Sequence, residues 1–133
     1  MSSSRKAFLG GTAIVGITSL FTEAAIAQVG GQAIMLTLWS KTKDPDTFEK
    51  YYVSTHAPLV KQLPGITGYW RSTGPVSSDA SNPSPYQMIS AIGFASMNAL
   101  TAAIESSAGG AMVKDLKNFA GDTSILLFST TSA

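Results

Sequence analysis

The sequence predicts an α+β fold, a single domain whose elements alternate as β-α-β-β-α-β. Three observations carry that expectation. Short apolar, β-branched or aromatic runs at residues 32–40, 66–73, 86–94 and 123–129 are too short for good helices. Two longer stretches, opening at Asp44-Pro45 and at Ser96, carry helix-start signals. Gly and Pro punctuate the chain between them, at Pro64-Gly65 and across residues 74–85.

Taken in order, residues 32–40 (QAIMLTLWS) read as a strand buried on both faces. Asp44 is an N-cap with Pro45 at the first helical position, and Asp46 and Glu49 place negative charge where the helix dipole favours it. Phe48, Tyr52, His56 and Leu59 then fall on one face. Pro58 removes an N–H and crowds the carbonyl of Ser54, which predicts a kink or break across residues 54–57 and a further turn to Leu63. The second strand puts Tyr69 and Trp70 on opposite faces. A polar loop, residues 74–85 (GPVSSDASNPSP), joins it to the third. Ser96 caps a helix over residues 97–105, Gly109-Gly110 is expected to break it, and residues 111–119 resume it. Residues 123–129 (TSILLFS) form the last strand.

This order is the ferredoxin-like one, a four-stranded antiparallel sheet with helices on one face. The first and last strands are apolar on both faces, so the second face of the sheet needs a cover. A homodimer whose two sheets close into an α+β barrel would supply it.

Residues 1–27 have the three-part plan of a signal peptide: a basic start to Lys6, a Gly-diluted apolar core, and Ala25-Ile26-Ala27 as the cleavage site. The domain is then residues 28–133, periplasmic or secreted, with no membrane association once mature. Ser4-Arg5-Lys6-Ala7-Phe8-Leu9 resembles the twin-arginine motif with Lys6 for the second arginine, which leaves both export routes open.

Beyond residue 27 seven Lys and Arg face seven Asp and Glu. A nucleic-acid partner would call for a basic excess, so none is expected. The chain has no cysteine and one histidine. That rules out thiolate sites, and Asp44, Asp46 and Glu49 are explained as helix-start charges, so no metal is expected. Neither a phosphate-binding loop nor a nucleophile elbow occurs.

His56 therefore carries the chemistry, if the chain has any. On its own it reads first as a buried ring satisfied by a backbone carbonyl; the expected break beside it, which opens a concavity, shifts the balance toward a functional role. Free carbonyls nearby would favour its charged form and burial its neutral form, and the sequence leaves the balance open. Tyr52 lies one turn earlier on the same face, where a His–Tyr pair beside an apolar pocket could move a proton. Tyr51, Tyr69, Trp70 and Arg71 are the candidates for the pocket wall. Arg71 could orient a carboxylate or stand exposed at a strand end.

The run Tyr51-Tyr52-Val53-Ser54-Thr55-His56-Ala57-Pro58-Leu59, followed by Leu63-Pro64-Gly65 and Tyr69, resembles the EthD family. Phe94-Ala95-Ser96, Ala99-Leu100 and Asp115-Leu116 with Phe119 resemble its second-helix region, so the likeness spans residues 35–128. It implies a dimeric α+β barrel and a pocket between helices and sheet that works without metal or organic cofactor. Relatives include lactone isomerases and the decarboxylases and cyclases of aromatic polyketides. By that likeness His56 is the acid–base group, Tyr52 its helper, and a small apolar or aromatic molecule the substrate. Such proteins are usually intracellular, so the leader is a departure. A non-catalytic module that binds a small molecule, or a stress-associated one, is the alternative.

Overall fold

The computed structural model describes residues 32–79 and 81–132. The export signal expected at residues 1–27 lies outside them. Strand β1 (Ala33–Ser40) leads to helix α1 (Pro45–Tyr51), a π-helical turn (Tyr52–His56) and helix α2 (Ala57–Val60). Strands β2 (Ile66–Arg71) and β3 (Tyr86–Phe94) follow, then helices α3 (Met97–Glu105) and α4 (Ser107–Asp115), a 3-10 turn (Leu116–Asn118) and strand β4 (Thr123–Ser129). The sheet order is β2-β3-β1-β4 with every neighbour antiparallel, as the ferredoxin-like arrangement requires.

Alternation along each strand sorts the side chains. Ala33 and Met35 of β1 and Ile92 and Phe94 of β3 meet Val60, Leu63, Leu100, Ala103 and Met112 from the helices. Trp39 and Met88 continue that layer against Phe48 and Tyr52. The helices thus cover one face. On the other, Leu36 and Leu38 are half-buried, and Leu126 and Phe128 of the edge strand β4 are 49% and 39% exposed.

The first helix starts as its sequence dictates: the Asp44 carboxylate accepts from the Thr47 N–H and hydroxyl, with Pro45 next. The kink or break expected across residues 54–57 takes the form of a π-helical interruption over Tyr52–His56, not a chain break. The helix widens there, and the Ala57 N–H reaches back five residues to the Tyr52 carbonyl. Widening makes room for the Pro58 ring and absorbs its missing donor without ending the helix. The chain leaves through turns to Leu63 and a left-handed Gly65 (φ 79°), as expected.

The second interruption is also displaced. Gly109-Gly110 lie inside α4, and the break falls at Ser106, whose backbone is extended (φ −70°, ψ 165°). Its hydroxyl donates to the Ala103 carbonyl and accepts from the Gly109 N–H, closing α3 and capping α4 together. Gly109 serves close approach, because a Cβ there would stand 2.2 Å from the Ile104 carbonyl oxygen and 2.3 Å from that of Ala103.

Candidate active site

Between the sheet and the helices lies a cavity of about 160 Å³. Its floor is the helix-facing side of the sheet, including Met35, Thr37 and Trp39 of β1, Ser90 and Ile92 of β3, and Tyr69 of β2. Tyr52, His56 and Val60 close it from the first helical run, and Met112, Val113 and Leu116 from α4 and the turn after it. Ile104 of α3 and Ile125 and Leu127 of the edge strand complete the wall.

The π-helical turn sets His56 on the inner side, where it is 2% exposed. Its Nδ1 lies 3.0 Å from Oδ2 of Asp115, itself buried at the end of α4. The other carboxylate oxygen accepts from the Tyr51 hydroxyl (2.6 Å) and the Asn118 amide (3.0 Å). The Trp39 ring stands edge-on to the imidazole with centroids 5.5 Å apart, and the Phe119 ring is at 4.9 Å. Burial by itself would raise the Asp115 pKa, but the hydrogen bonds from Tyr51, Asn118 and His56 outweigh it and hold the carboxyl below its ordinary value. Burial pushes His56 below its ordinary value, against the opposing pull of Asp115.

Near neutral pH the ring is therefore uncharged beside an ionised carboxylate. An ionised carboxylate only accepts, so Nδ1 carries the proton and Nε2 the lone pair. No group among the described residues bonds Nε2, and His56 lines the cavity. The result is a base anchored at one nitrogen and free at the other.

A second polar pair faces the same space. The Tyr52 and Tyr69 hydroxyls are 2.5 Å apart, and burial raises both pKa values, so both phenols stay protonated. One proton bridges the pair, and the other is available to an oxygen in the cavity. Trp39 Nε1 donates to Ser90 Oγ (2.9 Å), which fixes the indole beneath His56.

Of the residues singled out from sequence, His56, Tyr52 and Tyr69 come together on the cavity. Tyr51 does not line it. Its ring stacks on Phe119 at 4.8 Å and its hydroxyl braces Asp115, which raises the phenol's own pKa. Trp70 points away from the helices and is 56% exposed. Arg71 is held outside the cavity in a two-point ion pair with Glu49 (2.7 and 3.1 Å), its guanidinium 5.7 Å from the Tyr52 ring centre. Asp115 and Asn118 went unassigned from sequence. A signal for Asp115 was present, since Met112, Asp115 and Phe119 share one helical face and a carboxylate on an apolar face needs a partner. Among the described residues no three His, Asp or Glu side chains converge.

Fold and site together define a ferredoxin-like α+β protein with a His–Asp pair at an apolar cavity between helices and sheet. The chain belongs to the EthD family, whose EthD domain matches residues 40–123. No curated protein matches it. Among solved structures it is similar to an EthD family protein from Bacillus halodurans C-125, at 21% identity and a TM-score of 0.67 over 73% of this chain and 96% of that one. It is also similar to SnoaB from Streptomyces nogalater, described as a cofactor-independent oxygenase (12% identity, TM-score 0.57, 78% of this chain and 97% of that one). A dimeric ferredoxin-like protein of unknown function from Thermobifida fusca YX shares 16% identity with a TM-score of 0.55, over 75% of this chain and 92% of that one.

Proposed function

We propose that this protein is a cofactor-free acid–base enzyme of the isomerase or lyase type, acting on a small apolar substrate with His56 as the base. One observation carries the reading: a neutral imidazole, anchored through Nδ1 by a buried carboxylate, has its unbonded Nε2 beside an apolar cavity. Such a base can take a proton from a carbon acid whose negative charge moves onto oxygen, and return it elsewhere. Asp115 stabilises the imidazolium formed in between. The protonated Tyr52–Tyr69 pair supplies a donor for the developing oxyanion. Burial of His56 and Tyr52 strengthens both contributions.

The test uses α-angelica lactone, a neutral five-membered lactone with its double bond at C4=C5. Nε2 removes a C3 proton, giving a dienolate, and the imidazolium returns that proton to C5. The double bond moves to C3=C4 with nothing gained or lost. Wild-type protein is expected to accelerate this shift, followed by ultraviolet absorbance, and His56→Ala to lose the acceleration while retaining its melting temperature within a few degrees. A wild-type rate equal to the buffer rate for this lactone and its ring-substituted analogues would favour a purely binding role.

The domain is proposed to act as a homodimer with the free sheet faces packed together, and to do so outside the cytoplasm after cleavage behind Ala27. Leu36, Leu126 and Phe128 supply an apolar face of the kind such an interface needs. Intact-mass measurement on protein from its native compartment tests the cleavage, and an N-terminus other than Gln28 would count against it.

A further inference from the structure

Among the described residues, one polar side chain in the cavity wall has no partner. Thr37 sits mid-strand in β1, 5% exposed, on the helix-covered face, and no group among the described residues bonds its hydroxyl. A valine would fill the same volume without burying a polar atom, so an unmet hydroxyl here is a standing cost unless something in the cavity meets it. Its register partners on that face are Ser90, already engaged with Trp39, and Ile125, which has nothing to offer. A threonine hydroxyl rotates freely enough to donate to a ligand oxygen.

Size and charge narrow what that ligand is. The cavity, at about 160 Å³, is close to the roughly 150 Å³ apolar cavity known to take one benzene molecule. Among the described residues no Lys, Arg, Asp or Glu lines it. Lys61 and Arg71 line a separate outer depression that shares Tyr52 and Tyr69. An anionic group entering would lose its water with no counter-charge, and the Asp115 carboxylate behind His56 would repel it further. Thr37 is two residues, roughly 7 Å, along β1 from Trp39. The Trp39 ring is 5.5 Å from the imidazole. Thr37 and His56 line the same cavity, so one bound molecule can reach both.

We propose that the cavity takes an uncharged, single-ring compound bearing an oxygen acceptor, and that Thr37 selects it by donating a hydrogen bond to that oxygen. This rests on the acid–base reading only in that the ring's acidic hydrogen then faces His56; the binding half stands without it. The proposal excludes both multi-ring polyketides and carboxylate-bearing lactones as substrates of this chain.

Calorimetry with four probes tests it: acetophenone, ethylbenzene of like shape without oxygen, benzoate, and the three-ring 9-acetylanthracene. Acetophenone is expected to bind best, ethylbenzene about tenfold more weakly, and the other two not at all. Thr37→Val should raise the acetophenone Kd by about five- to tenfold, as loss of one neutral hydrogen bond implies, and leave ethylbenzene unchanged. Thr37→Ser should stay within about twofold of wild type. Benzoate or 9-acetylanthracene binding as tightly as acetophenone would overturn the proposal, as would an unchanged acetophenone Kd in Thr37→Val. If Thr37→Val does not fold, the order of the four probes on wild-type protein still decides. Binding is read here without turnover, so a protein that binds acetophenone in this way yet does not isomerise the lactone defeats the acid–base reading alone.

Discussion

His56 and Asp115, 59 positions apart in sequence, meet through a single Nδ1–Oδ2 contact of 3.0 Å. The contact decides which nitrogen of the only histidine carries the proton. Around it Tyr51 and Asn118 hold the other carboxylate oxygen, so the carboxylate keeps one orientation.

Replacing Asp115 by Asn tests that relationship. An amide presenting its NH2 to the ring forces the proton onto Nε2, turning the base into a donor. Lactone isomerisation should fall by between about 10² and 10⁴-fold, the range general base catalysis contributes. The fold should survive, since Asn keeps the shape of the side chain. NMR of the imidazole nitrogens is expected to show the exchanged tautomer.

Stability should weaken on acidification. The His56 pKa is depressed below its ordinary 6.5 in the folded state, so the unfolded chain takes up the proton at higher pH. Its contribution is complete above 6.5 and is lost as the pH falls through the folded-state value. Asp115 acts with the same sign further down, because its pKa is depressed from 3.8. Urea midpoints are expected to drop from pH 7.5 to pH 5, and His56→Gln should flatten that dependence. A midpoint that rises towards acid would show that the ring is charged when folded.

The two glycines of α4 should respond oppositely to alanine. At Gly109 a Cβ meets backbone carbonyl oxygens at 2.2 and 2.3 Å, so the α3–α4 junction must open. A loss of about 1–3 kcal/mol is expected, the usual cost of overpacking. At Gly110 a Cβ meets nothing within 4 Å, and Ala should add about 0.4–1 kcal/mol through helix propensity and a less flexible unfolded chain. Denaturant unfolding of the two variants measures both.

The free sheet face makes its own prediction. Leu36 and Leu126 are register partners on β1 and β4, and Leu126 is 49% exposed. Sedimentation of the wild-type protein at micromolar concentration should give a dimer. Leu126→Glu should shift it to monomer with its circular dichroism unchanged. A monomeric wild type would remove the barrel from the proposal.

The sequence alone determined the order of elements, the Asp44 and Ser96 caps, the four strands and the side of the first helix on which Tyr52 and His56 fall. Hydrophobic period and capping are local properties, written within a few residues of where they act. It also pointed to His56 and Tyr52, through a motif confined to one helix. Only the tertiary structure decided what these side chains do. Pro58 widened its helix because packing of Tyr52 and Val60 on the sheet outweighed the lost hydrogen bond. Gly109 proved to be a point of contact between α3 and α4, a fact no local pattern carries. Asp115 reads locally as a charge near a helix end. It becomes the anchor of the imidazole when α4 docks beside the first helical run, because a buried carboxylate must find donors and the fold places three of them around it. That docking leaves Nε2 free toward the cavity, and the burial it imposes holds the ring neutral.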